Sequence, residues 1–171
     1  MSTSKVYYAE NAGIHGLKYV GHIRYTIGAS LDKFIKSLFD GPRPEGFMVD
    51  LTETKTIDST NLGLLARIAK LMKQCGAPKV TLVSTNEDIN TLLFSIGFDE
   101  VFDIVDETGH VMTDSQELGL QEDTGPEMAQ TVLNAHRTLM SISEDNKARF
   151  QDVIELFEQQ LENTRRALGQ P

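Results

Sequence analysis

The run Phe47-Met48-Val49-Asp50-Leu51, followed after residues 52–55 by Thr56-Ile57-Asp58-Ser59-Thr60-Asn61-Leu62-Gly63-Leu64-Leu65, decides the fold of this chain. Its first part is short and mostly apolar, the pattern of a strand covered on both faces. Its second part is a cluster of small polar residues that opens an apolar stripe. Leu62, Leu65, Ala69 and Met72 recur at helical spacing, with Leu64 and Ile68 beside them. Asp, Ser, Thr and Asn favour helix N-termini because their side chains satisfy the free N–H groups of the first turn. Gly76 and Pro78 then stop the helix, and residues 79–83 form the next strand. Strand, polar turn, helix and strand make one β–α–β unit.

The same alternation extends outward in both directions. Upstream, residues 5–11 and 17–25 carry aromatic and β-branched residues punctuated by Gly13 and Gly16, which predicts a hairpin. Leu31, Phe34, Ile35 and Leu38 then mark a helix, with Ser30 as its expected N-cap and Gly41 to Gly46 as its break. Downstream, residues 86–96 form a helix with Ile89, Leu92, Leu93 and Ile96 inward and Gly97 as its stop; residues 101–105 form a last strand. The order ββαβαβαβ implies parallel neighbours joined by right-handed crossovers. The expected fold is α/β: a mixed β-sheet with helices packed against it over residues 1–106.

After residue 106 the character changes. The chain has 171 residues and a formal net charge of −9. Residues 103–125 hold seven acids and no Lys or Arg, whereas residues 1–102 are balanced at eleven acids and eleven cations. Residues 107–125 therefore read as a solvated acidic linker. From 126 to 171 the pattern is helical again, predicting an α-helical extension. Met128, Val132, His136 and Leu139 share one face, and Phe150, Ile154, Phe157 and Leu161 have the spacing of a helix–helix seam. Ser141 and Glu144 have the spacing of a capping box between two helices. Such helices need a partner surface, on this domain, on each other or in a homo-oligomer through residues 126–171.

These features exclude several classes. No basic patch is visible for counterion release from nucleic acid. No apolar run approaches the roughly 18–20 residues that cross a bilayer, and the N-terminus lacks the apolar segment of a secretory signal, so a cytoplasmic location without membrane contact is expected. The single Cys75 allows no internal disulfide and reads as an incidental thiol. His15, His22, His110 and His136 are scattered without metal-ligand spacing, so no metal or other cofactor is expected. Asp50 and Asp58 lack an accompanying His, Lys or Gly-rich phosphate loop, and an enzyme is not expected. A phosphoaspartate receiver built on Asp50 would need an acidic pair after the first strand, where only Glu10 stands.

The polar cluster has a plain role and a sharper one. Plainly, Asp58, Ser59, Thr60 and Asn61 cap a helix. The sharper role uses the same geometry, because a hydroxyl at a helix N-terminus tolerates a phosphate that a partner pressed against it would not.

Residues 47–51 and 56–65, with the strand 80–84 and the helix end Leu92-Leu93-Phe94-Ser95-Ile96-Gly97-Phe98, resemble the signature of STAS domains, most of all the anti-sigma factor antagonists of bacteria. The resemblance spans roughly residues 5–105. It implies that Ser59 is the phosphorylated residue, with Thr60 the lesser candidate, and that Asp58, Ser59, Thr60 and Asn61 meet the partner. Asn61 stands where the family usually has Gly, and Arg24 where it usually has an acid. By the same resemblance, the unphosphorylated form binds an anti-sigma factor and frees a sigma factor, a serine kinase adds the phosphate and a PP2C-type phosphatase removes it. The alternative within the same fold is a structural scaffold or accessory subunit with no phospho-switch.

Overall fold

A six-stranded sheet lies at the centre of the computed structural model, which describes residues 4–107 and 112–169. His110 and its neighbours in the acidic stretch, 108–111, lie outside the described residues. Strands β1 (Lys5–Asn11) and β2 (Ile14–Ile23) form the expected hairpin. Helix α1 (Gly28–Asp40) leads to β3 (Gly46–Ile57), α2 (Ser59–Gln74) to β4 (Val80–Val83), and α3 (Glu87–Ser95) with the short α4 (Phe98–Val101) to β5 (Phe102–Val105). A two-residue strand β6 (Gln116–Glu117) follows, then α5 (Pro126–Met140) and α6 (Glu144–Ala167). The sheet order is β5-β4-β3-β2-β1-β6; β2 through β5 run parallel, while β1 is antiparallel to both β2 and β6. Because β2, β3, β4 and β5 succeed one another in one direction, right-handed crossovers put α1, α2 and α3 on the same face.

Apolar alternation places the core between that face and the helices. Leu17, Tyr19, Val49, Leu51 and Leu82 rise from the sheet to meet Leu31, Ile35, Leu65, Ile68 and Leu93, all fully buried. The helices are held laterally as well. Asp32 of α1, 5% exposed, accepts from Arg67 of α2 and from Lys36, the latter at 3.1 Å. Burial also sets the chemistry of two groups on the strands. Tyr8 Oη lies 2.6 Å from His15 Nδ1, and desolvation pushes His15 below the ordinary histidine range against the opposing pull of Glu10. Tyr19, wholly buried, has its phenol pushed well up by the same cause.

Several elements differ from their sequence expectation for identifiable reasons. Strand β3 runs on to Ile57, because Thr54 and Ile57 turn inward and pair with β2 while Glu53, Lys55 and Thr56 face water. Helix α1 starts at Gly28 rather than after Ser30; the Ser30 hydroxyl instead accepts from the Gln121 backbone N–H at 3.2 Å. The α6 cap is Ser143, accepting from Asn146 N at 3.1 Å, not Ser141. The described part of the acidic stretch lies along the domain. Its backbone pairs with β1, Leu118 N donates to Val6 O at 2.8 Å, and Asp123 N donates to Thr26 O at 2.8 Å. Leu118 and Leu120 supply the apolar contacts for this course, while Asp114, Glu117 and Glu122 are exposed.

The two C-terminal helices form a helical hairpin. Helix α5 lies across α2 and α1, and α6 packs on α5. Ala135, Leu139 and Phe150 join the domain core, whereas Leu133, Ile154 and Leu161 make a small apolar cluster of their own between the two helices.

Candidate functional site

Strand β3 delivers the polar cluster to the start of α2. Asp58 keeps extended backbone (φ −87°, ψ 170°), and its N–H donates to Ile23 O at the end of β2 at 3.2 Å. Its Oδ1 accepts from Asn61 N at 3.0 Å and from Asn61 Nδ2 at 2.9 Å, so Asp58 is the N-cap. Its carbonyl accepts from Leu62 N at 3.0 Å. The cap therefore fixes the first turn, and Ser59 becomes its first helical residue.

The four candidate residues are adjacent but not equivalent. Thr60 is 3% exposed and Asn61 wholly buried, so their side chains belong to the interior. A Cβ built on Gly28 of α1 would stand 3.3 Å from Thr60 Cγ2 and 3.5 Å from Thr131 Cγ2, which locates Thr60 beneath α1 and α5. Asn61 holds Asp58 from within, and its Oδ1 has no partner among the described residues. Asp58 and Ser59 are half-buried at the surface. Of the two hydroxyls, Ser59 is the one at the rim.

The Ser59 hydroxyl is engaged by α5. Its Oγ lies 2.8 Å from His136 Nε2. The other ring nitrogen, Nδ1, lies 2.7 Å from Val132 O, a carbonyl that only accepts. Nδ1 therefore carries the proton, and in the neutral ring Nε2 accepts from the Ser59 O–H. His136 is 4% exposed and meets Phe150 edge-on at 5.5 Å between centroids. One turn along α2, Gly63 touches the α5 backbone: a Cβ there would come within 2.3 Å of Ala135 O. Glycine on one helix and alanine on the other allow this approach. Sequence reasoning placed His136 on an apolar face but had no signal for its bond to Ser59, 77 residues away.

The other polar candidates have other tasks. Asp50 sits inside β3, where its Oδ1 accepts from Thr52 N at 2.8 Å and Thr52 Oγ1 at 2.6 Å. Cys75 is a free thiol at the C-terminus of α2. Among the described residues no cluster of three or more His, Cys, Asp or Glu is placed to hold a metal ion, and no helix is long and apolar enough to cross a membrane.

Comparison with known proteins agrees with the fold of residues 8–111. The family model described as the STAS domain matches residues 8–111. Two solved structures are similar. One is the crystal structure of an anti-sigma factor antagonist from Mycobacterium paratuberculosis, 18% identical over 63% of this chain and 87% of that one, with a TM-score of 0.49. The other is the NMR structure of the protein TM1081, 22% identical over 58% of this chain and 78% of that one, with a TM-score of 0.52. At that identity the second likeness is one of fold. No curated protein matches the chain.

Proposed function

The chain belongs to the STAS domain family, and on that premise we propose that it is an anti-sigma factor antagonist switched by phosphorylation of Ser59. The observation that supports this most is the position of Ser59: a rim hydroxyl on the first residue of α2, directly after the capping Asp58. The positive end of the helix dipole accommodates a phosphate there. A serine kinase transfers a phosphoryl group from a nucleoside triphosphate. The Oγ–H bond breaks, the Oγ–P bond forms, the diphosphate leaves and the proton passes to a base of the kinase. Hydrolysis by a PP2C-type phosphatase restores the hydroxyl. In the unphosphorylated state the chain binds an anti-sigma factor and releases the sigma factor in the bacterial cytoplasm; it is a substrate and a ligand, not an enzyme.

The change at the site is large. Phosphate adds about −1.5 to −2 charges at neutral pH beside Asp58, and burying that charge against a partner is costly. Calorimetry with the anti-sigma factor tests the switch. Ser59→Ala should bind as the unmodified chain does, and Ser59→Asp at least about tenfold more weakly, equivalent to ~1.4 kcal/mol. Equal affinities of the two variants would remove the switch. A phosphate on the Ser59 peptide from native cells is the second requirement.

One observation favours the alternative, a structural scaffold without a phospho-switch: α5 already covers α2 beside Ser59. A chain isolated from native cells without phosphate at Ser59, and bound in a stable larger complex, supports that role.

A further inference from the structure

We propose that the α5–α6 hairpin is a built-in competitor for the Ser59 surface, so that the chain is closed to kinase and partner until α5 leaves α2. The proposal rests on Ser59 being the switch. Its observations are three. First, α5 occupies the site directly: His136 takes the Ser59 proton-donor bond, and the α5 backbone at Ala135 seals the face one turn below, at Gly63. Second, the hairpin has a cohesion of its own: Leu133, Ile154 and Leu161 form an apolar cluster within it and α6 packs chiefly on α5, while Ala135, Leu139 and Phe150 are what it gives to the domain core. Third, the segment before α5 is fastened to the domain at Leu118 and Asp123, so a detached hairpin stays close and can return.

Phosphorylation and docking oppose each other chemically. A phosphoserine has no hydroxyl proton to give to Nε2. Against the neutral ring it offers acceptor oxygens to a lone pair instead, in a place where the two helices already touch. An anti-sigma factor meets the same obstacle. To replace α5 it must cover Gly63 and Ala66 on α2, so the fitting partner presents an apolar helix with a small residue opposite Gly63.

The test uses the full chain with Cys75→Ser and Ser59→Cys, and reads the rate at which a disulfide reagent, dithiobisnitrobenzoate, labels the new thiol. Gly63→Ala is the opening variant. Alanine is a better helix former than glycine, so the change spares α2, yet its Cβ cannot coexist with Ala135 O. The expected result is at least a tenfold faster labelling in Gly63→Ala, with the rate in denaturant unchanged and amide exchange in β3 still protected. Equal native rates overturn the proposal. Should β3 lose protection, His136→Ala is the variant read in its place, by the same criterion. In a second arm, Ser59→Asp should speed amide exchange over residues 128–140; slower exchange would mean that the hairpin clamps the anion, and overturns the opposition. Failure here is distinct from failure of the switch. A covered thiol in a chain that never carries phosphate leaves the cover and removes the switch; a phosphorylated chain with an uncovered thiol does the reverse.

Discussion

Asn146, the third residue of α6, is 1% exposed, and its Nδ2 donates to Ile96 O and to Leu139 O, each at 2.9 Å. One side chain thus ties together the end of α3, the end of α5 and the start of α6. Asn146→Ala removes both bonds. Leu139 O keeps a donor in Ile142 N at 3.2 Å, so the penalty of a buried carbonyl without a partner falls mainly on Ile96. Two net hydrogen bonds at ~0.5–1 kcal/mol each, plus ~1–2 kcal/mol for that carbonyl, give a loss of about 2–4 kcal/mol. For a chain of this length such a loss lowers the melting temperature by about 5–15 °C. Asn146→Asp preserves the shape but turns the donor into an acceptor facing two carbonyls, and should cost more than alanine. The assay is urea unfolding followed by far-ultraviolet circular dichroism, with the slope checked for constancy so that the midpoint reports stability. Ser141→Ala, on the exposed surface nearby, is the control and should stay within about 0.5 kcal/mol. A cost below about 0.5 kcal/mol for Asn146→Ala, or an aspartate no worse than alanine, would refute the argument that the hairpin is anchored through these carbonyls.

Asp32→Ala should cost about 1–3 kcal/mol by thermal unfolding, less than a wholly buried ion pair, because the Arg67 side chain is 27% exposed and rehydrates. A variant as stable as the parent would make the α1–α2 tie ornamental. His15 gives a pH dependence of known sign. Its folded-state value lies below the unfolded one of about 6.5, so its contribution is complete above that pH and declines as pH falls through the window below it. In His15→Gln that component of the decline should vanish from denaturation midpoints measured between about pH 7 and pH 5; an unchanged slope contradicts it.

Strands and helices of the first domain were legible because burial on one or both faces leaves a period in the sequence. Leu62, Leu65, Ala69 and Met72 announce α2, and the apolar run at 47–51 announces the middle of β3. The polar continuation of β3 left almost no trace, since only Thr54 and Ile57 turn inward over its second half. Capping serines were misplaced for a related reason. Ser30, Ser141 and Ser143 all have a capping side chain, and which one caps depends on where tertiary contacts end the helix. The acidic stretch concealed its contacts by composition: charge suggested solvent, while Leu118 and Leu120 fasten it to the domain. At the site, Asp58, Ser59, Thr60 and Asn61 were legible as a group, but not the division among them. Burial of Thr60 follows from α1 and α5 lying above it, and Asn61 is wholly buried as it holds Asp58, consequences of packing that no local pattern encodes.

The strongest consequence of a hairpin with its own apolar cluster is that variants in two different contacts should act alike at Ser59. Gly63 touches α5 at Ala135, and Asn146 holds Leu139 O one turn further along α5 and ties the hairpin bend to Ile96 O after α3. If the hairpin docks as a unit, loosening either contact raises the open fraction seen at Ser59. A bias of ~2.7 kcal/mol toward the closed form leaves about 1% open and weakens the apparent affinity of any Ser59 ligand about a hundredfold. The ~2–4 kcal/mol expected from Asn146→Ala is of the same size. In the Ser59→Cys background this substitution should therefore make the introduced thiol react nearly as fast as Gly63→Ala does, although Asn146 has no hydrogen bond to Ser59. Combining the two variants should add little, because an open hairpin cannot be opened again. A destabilised Asn146→Ala chain whose introduced thiol stays as slow as in the parent would show that α5 holds its place without α6, and the cover would then be one helix rather than two.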